Sequence, residues 1–194
     1  MSKRTVPFIP GHYYHIYNKA VTDNKLFIEE KNYHFFISKI KKYLPGCVDI
    51  VAYCLMPNHY HLMVQLKNTE LPSPMQKLAL SYSVTFNKIY QRTGHLFQGP
   101  YQIKHISDSV YLLHLSRYVH LNPVTAKLVS RAEFWYFSSY PEYIGLRKPD
   151  FVKPMFILNQ FGNENECKFE EKQADYRRFV EDWEAEYMRF NFKE

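Results

Sequence analysis

The stretch that decides the fold is "CLMPNHYHLMVQL", residues 54–66, in which two histidines flank one tyrosine at the start of an apolar run. Successive side chains of a β-strand point to opposite faces of its sheet. A strand over this run therefore places His59 and His61 on one face and Tyr60 on the other. Two imidazoles on one face could bind a metal ion, or they could be hydrogen-bonded histidines in a polar cleft, and the stretch alone leaves both interpretations open.

Strands and helices alternate on either side of this stretch. The run "VDIVAYCLM" before it is a second apolar strand, joined to it at "PN" in a predicted hairpin. Hydrophobic spacing predicts further strands in 12–20 and 95–106, and helices at 29–44, 71–94 and 109–122, the last of them stopped by Pro123. The order β-α-β-β-α-β-α predicts an α+β domain with an antiparallel or mixed sheet covered by helices.

The composition indicates a folded intracellular protein. Apolar residues make up 46% of the chain and aromatic residues 18%, which is typical of a globular domain. The three cysteines form no C-x-x-C pair, so we expect a reducing compartment, the cytoplasm, rather than a disulfide framework. No apolar run approaches the length of a membrane span, and no secretory segment follows the basic start.

The charge is distributed unevenly along the chain. Residues 1–162 hold 19 Lys and Arg against 9 Asp and Glu, whereas residues 163–194 hold 6 against 10. A basic body with 17 tyrosines and 15 phenylalanines offers cations for phosphates and aromatic rings for unpaired bases. Composition therefore allows nucleic acid as a partner, although many intracellular proteins are mildly basic and most of their aromatic rings are core residues.

The helix predicted at 109–122 offers partners for the two histidines. Tyr118 and Asn122 lie four residues apart and so share one helical face, with His114 one turn earlier. An amide oxygen is a plausible third ligand for a hard cation, and a phenol is a plausible nucleophile. Mixed imidazole and amide ligation favours Mg²⁺ or Mn²⁺ over a closed structural zinc site.

Three blocks in this order resemble one family. They are "LMPNHYHLMV", "FNKIYQRTGHLFQGPY" and "YVHLNPVTAKLV", followed by "FWYFSSYPEY". Together they resemble the single-tyrosine HUH transposases, especially the REP-associated tyrosine transposases of bacteria, from about Tyr13 to Tyr143. A lone H-x-H would be weak evidence, whereas three blocks at matching spacing are specific.

The resemblance implies both a fold and a set of roles. It implies a ferredoxin-like or RRM-like core in residues 1–150, in which His59 and His61 hold a divalent metal, Mg²⁺ or Mn²⁺, with Asn122 as third ligand. Tyr118 is then the nucleophile that cleaves single-stranded DNA through a 5′-phosphotyrosine, which a DNA hydroxyl can reopen without ATP. Family members typically recognise a DNA hairpin, and shorter members are dimers, so a homodimer is an open expectation here.

Cations elsewhere are candidates for contacts to DNA phosphates. The candidates are Lys39, Lys41, Lys42, Lys77, Lys88, Arg92, Lys104 and Arg117. For a single lysine, a solvated helix face is the commoner role. The chain also departs from the family pattern, because Pro100 stands where an arginine is usual between Gly99 and the aromatic residue, and Lys104 or Arg117 is the expected substitute.

The segment 151–194 lies outside the shared blocks. It ends in an acidic sequence whose apolar residues recur at helical spacing, which predicts an amphipathic helix. The stripe consists of Tyr176, Phe179, Val180, Trp183 and Tyr187. Such a stripe most often packs against its own domain, and a dimer contact or a shield over the DNA surface are the alternatives.

Two other functions compete with the transposase interpretation. The first is a catalytically silent or domesticated protein that binds hairpin DNA or RNA on the same core. The second is a structural zinc protein that uses His59, His61 and Cys54. Nicking that depends on Mg²⁺ or Mn²⁺ would favour the transposase, whereas tightly bound zinc without nicking would favour the zinc protein.

Overall fold

The core of the protein is one antiparallel sheet of four strands. The structure is a computed structural model that describes residues 6–21, 24–162 and 168–182. The strands are β1 (Tyr13–Lys19), β2 (Val48–Met56), β3 (His59–Leu66) and β4 (Gln102–Ile106). Their order across the sheet is β2-β3-β1-β4, so the two strands that carry most of the aromatic and histidine residues are central.

Helices connect and cover these strands. They are α1 (Glu30–Tyr43), α2 (Pro72–Ile89), α3 (Ser109–Thr125), α4 (Tyr140–Tyr143), α5 (Met155–Leu158) and α6 (Phe169–Glu181), with one 3₁₀ turn at Ala132–Phe134. The first helix crosses from β1 to β2 and the second from β3 to β4, while β2 and β3 form a hairpin. This is the ferredoxin-like α+β arrangement, and it confirms the predicted fold class.

The sheet separates an apolar side from a polar side. Tyr60, on the face opposite the histidines, packs its ring 5.0 Å from that of Phe36 on α1, which in turn lies 5.0 Å from Tyr82 on α2. All three side chains are buried. Helix α3 packs against the other face, over β2. The alternation in "HYHLMVQL" therefore sends tyrosine and the aliphatic residues into the main core and leaves the histidines to face α3.

Helix α3 extends past the proline that was predicted to stop it. It continues to Thr125, and the Ala126 amide donates to the carbonyl of Asn122 at 2.9 Å. Proline removes only its own N–H, and its ring conflicts with the carbonyl four residues earlier, so both effects fall on the preceding turn. As a result Asn122 lies inside the helix, held one turn after Tyr118.

The acidic segment near the end of the chain folds back onto α3. Tyr176 of α6 is completely buried, donates to Ser116 Oγ at 3.0 Å and lies 2.7 Å from His120 Nδ1. The predicted helix is thus present over the described part of the segment, and the predicted stripe residues Trp183 and Tyr187 lie outside the described residues. The boundary predicted between a domain at 1–150 and an extension at 151–194 stays a prediction. Helix α6 of the extension packs on α3 of the domain.

Replacing Tyr176 with phenylalanine should lower the free energy of unfolding by about 1–3 kcal/mol. The change keeps the ring but leaves buried polar atoms of His120 and Ser116 without the hydroxyl that they contact. Chemical denaturation of the two proteins measures the difference. Tyr136→Phe is the matched control, because Tyr136 is 57% exposed and its loss of a hydroxyl should change stability by less than about 0.5 kcal/mol. Equal stability of Tyr176→Phe and the wild type would contradict the assignment.

Candidate active site

Two histidines stand side by side on β3, as the strand alternation predicts. His61 is 1% exposed and His59 is half-buried, and their ring centroids are 4.9 Å apart. The hairpin turn at Pro57 and Asn58 makes His59 the first residue of the strand, directly opposite Met56. The pair therefore sits at the end of strand β3, where His59 is partly open to solvent and His61 is buried.

Helix α3 brings the predicted amide and phenol to this pair. Asn122 lies between the two imidazoles, with Oδ1 3.2 Å from His59 Nε2 and Nδ2 3.4 Å from His61 Nε2. The Tyr118 ring meets the ring of His61 edge to face at a centroid distance of 5.6 Å. All four residues singled out from the sequence thus form one cluster within a single chain, although they are up to 63 positions apart.

Burial favours the uncharged form of His61. It lowers the pKa of His61 well below its usual range, and the neighbouring His15 and His59 lower it further. A neutral imidazole has one ring nitrogen with a free lone pair, which is the form that binds metals. At neutral pH His61 is therefore in a ligating state.

The donor set fits a divalent cation of the Mg²⁺ or Mn²⁺ kind. His59 Nδ1 lies 2.7 Å from Asn58 Oδ1, and His59 Nε2 lies 3.2 Å from Asn122 Oδ1. In the tautomer that donates from Nδ1 to Asn58, the lone pair of Nε2 points towards Asn122 Oδ1. Two lone pairs face each other favourably only with a cation or a proton between them. Their separation of 3.2 Å is close to the roughly 3 Å spanned by adjacent ligands of an octahedral ion at about 2.1 Å. The imidazoles of His59 and His61 and the amide oxygen of Asn122 would hold the ion.

The candidate for the third ligand is the amide of Asn122, which lies between the two imidazoles. Within residues 6–21, 24–162 and 168–182, no three His, Cys, Asp or Glu side chains form a group that could hold a metal. Cys54 does lie opposite His61 in the strand register, but it is fully buried and its Sγ is 3.6 Å from Met56 Sδ. Burial raises the pKa of this thiol, which disfavours the thiolate that zinc binds. These features argue against the structural zinc interpretation.

A cleft of about 640 Å³ opens beside His59. Its lining includes Lys19, Lys25, Asn58 and Gln98. Lys19 lies directly opposite His59 in the pairing of β1 with β3, and both lysines are exposed. These two cations were missed in the sequence, because only the strand register shows which residue of β1 stands beside His59.

Most of the predicted phosphate contacts lie away from the cluster. Three of the predicted lysines are on α1 and two are on α2, the helices that cover the opposite face of the sheet, and Arg92 follows α2. They are Lys39, Lys41, Lys42, Lys77, Lys88 and Arg92. Lys41 also pairs with Asp150. Lys104 is different, because it stands opposite His15 on the histidine face, with Nζ 5.5 Å from the Tyr17 ring.

Arg117 is covered by the C-terminal helix. It is 4% exposed, donates to the Phe179 carbonyl at 3.3 Å and lies 4.5 Å over the Phe179 ring. Its guanidinium also lies 2.9 Å from His114 Nδ1. The structure therefore places the Arg117 guanidinium in the packing between α3 and α6. Of the two substitutes expected for the family arginine at the position of Pro100, Arg117 is buried, and the role of Lys104 stays a prediction.

Comparison with known proteins agrees with these features. Residues 9–122 match the family model described as "Transposase IS200 like". None of the curated proteins matches the chain by sequence. No helix in the described part of the chain is both long and apolar enough to cross a membrane.

Two solved structures resemble this chain to different degrees. A REP-associated tyrosine transposase bound to a REP hairpin is 16% identical, with 87% of this chain and 96% of that chain covered and a TM-score of 0.61. A protein of Deinococcus radiodurans R1 is 13% identical over 60% of this chain and 95% of its own, with a TM-score of 0.42. Only the first likeness is close enough to compare folds. Since the sequence match covers more than half of its length and includes all four clustered residues, the chain belongs to the IS200-like transposases, which are tyrosine transposases of the HUH type.

Proposed function

We propose that the protein cleaves and rejoins single-stranded DNA in a metal-dependent reaction that passes through a 5′-phosphotyrosine at Tyr118. The observation that carries the proposal is the position of the Tyr118 ring, edge to face with His61, while Asn122 of the same helix lies between His61 and His59. A nucleophile and a ligand set are thereby held on facing elements. Such an arrangement suits attack on a phosphate bound at the ligand set.

The reaction exchanges one phosphodiester for another. The phenol of Tyr118 loses its proton to solvent and its oxygen forms a bond to the scissile phosphorus. The bond from phosphorus to the 3′ oxygen breaks, and that oxygen takes up a proton from solvent and leaves as a 3′-hydroxyl. A bound divalent ion would polarise a non-bridging phosphate oxygen. Because a phenol has a pKa of about 10, phenolate is a competent leaving group, and a DNA 3′-hydroxyl can reverse the step.

The chain's own residues position this chemistry. His61 is kept neutral by burial, His59 is oriented by Asn58, and Asn122 is fixed in the last turns of α3. Lys19 and Lys25 supply positive charge along the cleft that leads from His59, where a DNA strand would lie. The site is built within one chain, so the proposal does not require the homodimer that was left open.

The proposed substrate is single-stranded DNA that carries a hairpin. The structural neighbour binds a REP hairpin, and it shares the fold with this chain at a TM-score of 0.61. The half-buried Lys104 on the histidine face and the exposed cleft lysines offer cations at opposite ends of the cluster. Phosphates on two sides of a cleaved position could be held in this way.

The direct test is incubation with labelled single-stranded DNA from the flanks of the protein's own gene, with Mn²⁺ or Mg²⁺. We expect a denaturing gel to show a protein-linked DNA fragment joined through its 5′ phosphate, and a free 3′-hydroxyl on the other fragment. A chelator added beforehand should remove both products. Binding of hairpin DNA without any adduct, with every flank and both ions, would instead support the catalytically silent DNA-binding protein.

Removing the two cleft cations should weaken binding of single-stranded DNA and flatten its salt dependence. Each phosphate contact on a single strand contributes about 0.7 to the slope of log affinity against log salt, so Lys19→Ala/Lys25→Ala should lower the slope by roughly 1.4. Fluorescence anisotropy between low and physiological salt measures it. The matched control is Lys148→Ala/Lys153→Ala, which removes two exposed lysines that do not line the cleft. Identical slopes for the two double variants would contradict a role for the cleft.

A further inference from the structure

A third histidine stands behind the pair on β3. His15 of β1 is 6% exposed, its Nε2 lies 2.9 Å from His61 Nδ1, and the two rings are stacked at 5.1 Å with an interplanar angle of 21°. In the strand register Tyr17 is directly opposite His61, so His15 reaches it along the diagonal. We propose that His15 is a positioning residue, which fixes the ring of His61 so that its Nε2 lone pair faces the ion. This inference rests on the proposed function.

The hydrogen bond between the two imidazoles admits only two arrangements of protons. Either His61 Nδ1 donates to His15 Nε2, which leaves a lone pair on His61 Nε2, or His15 donates and the His61 proton sits on Nε2. Only the first arrangement allows His61 to bind a metal through Nε2. The direction of this one bond therefore decides whether the ligand is available.

The amide on the other side of His61 selects the first arrangement. Asn122 turns its Nδ2 group towards His61 Nε2 at 3.4 Å, and an N–H donor on that side is matched by a lone pair on Nε2. The proton of neutral His61 is then on Nδ1, where His15 Nε2 accepts it. Contacts on both sides of the ring thus agree on one tautomer.

The environment of His15 holds its ring in place. The side chain is almost fully buried, and its ring stacks on that of His61. Stacking on Tyr17 at 4.9 Å restricts rotation of the His15 ring. A rigid acceptor behind a metal ligand is the arrangement that sets both the orientation of the ligand and its basicity.

The test compares a variant that lacks the acceptor with one that retains it. His15→Phe keeps a flat ring in the same space without a nitrogen, whereas His15→Gln offers an amide oxygen to His61 Nδ1. We expect His15→Phe to weaken Mn²⁺ binding about 10–100-fold, as is usual for loss of such a partner, and His15→Gln to recover most of the affinity. Titration calorimetry or Mn²⁺ electron paramagnetic resonance in the Tyr118→Phe background measures binding without any reaction.

Nitrogen-detected NMR of the metal-free protein supplies an independent readout. The wild type should show His61 with its proton on Nδ1, and His15→Phe should shift it towards the Nε2 tautomer. Wild-type Mn²⁺ affinity in a folded His15→Phe, or an Nε2 proton on His61 in the wild type, would overturn the proposal. If His15→Phe shows no cooperative unfolding transition and is therefore not folded, two other results test the proposal. These are the tautomer of His61 in the wild type and the Mn²⁺ affinity of His15→Gln.

The two proposals fail in different ways. If the wild type forms no DNA adduct and binds no Mn²⁺, yet His61 holds its proton on Nδ1 only when His15 is present, then the proposed function is wrong and the positioning contact stands. If the adduct forms and depends on Mn²⁺ but His15→Phe binds the ion normally, the positioning role alone is wrong.

Discussion

Replacing Tyr118 with phenylalanine should abolish the covalent DNA adduct completely. The substitution removes the one oxygen that is proposed to attack phosphorus, and it keeps the ring that packs edge to face against His61. The half-buried ring position means that the fold should tolerate the change. A denaturing gel of labelled single-stranded DNA with Mn²⁺ detects the adduct, and gel-shift titration shows whether binding persists.

Tyr111 provides a matched control on the same helix. It lies two turns before Tyr118, is also half-buried, and was not assigned to the site. Tyr111→Phe should form the adduct at the wild-type rate, while Tyr118→Phe binds DNA and forms none. An undiminished adduct in Tyr118→Phe would show that another residue is the nucleophile.

Replacing His59 with alanine should slow cleavage by about 10²–10³-fold, which corresponds to several kcal/mol of lost stabilisation of the transition state. His59 supplies one imidazole of the proposed ligand set and contacts both Asn58 and Asn122. Because it is only half-buried, its removal should perturb the fold less than removal of His61. Single-turnover cleavage measured against Mn²⁺ concentration should show a lower maximal rate and a higher ion requirement.

His12→Ala is the control for this prediction. His12 is exposed near the start of β1 and contacts His105, away from the hairpin turn. Its variant should keep the wild-type rate and ion requirement. Cleavage by His59→Ala that is as fast as that of His12→Ala, at every Mn²⁺ concentration, would remove His59 from the ligand set.

Local periodicity was sufficient to group the four candidate residues into two pairs, whereas the roles predicted for them came from the resemblance to the transposase family. The two-residue repeat of a strand puts His59 and His61 on one face, and the helical repeat puts Tyr118 and Asn122 on one face. Both are properties of adjacent residues and need no knowledge of the rest of the chain. The observed elements agree with them, and the family match spans all four residues.

The basic residues show where such reasoning is insufficient. Charge alone made Lys41 and Arg117 candidates for DNA contacts, but Lys41 pairs with Asp150 on the far side of the sheet, and Arg117 lies under Phe179. Each of these positions is set by an element more than 30 residues away in the sequence. A cation's availability depends on what covers it, and no local pattern contains that information.

The sequence by itself determined the alternation on β3, the shared face of Tyr118 and Asn122, the ferredoxin-like order of elements and membership of the transposase family. Tertiary structure alone decided that α3 packs on the histidine face of the sheet so that Asn122 reaches both imidazoles, that Lys19 stands opposite His59, and that His15 contacts His61. The reason is physical: side-chain direction within an element follows from backbone geometry, whereas strand register and helix packing are set by contacts between distant segments that compete for one core.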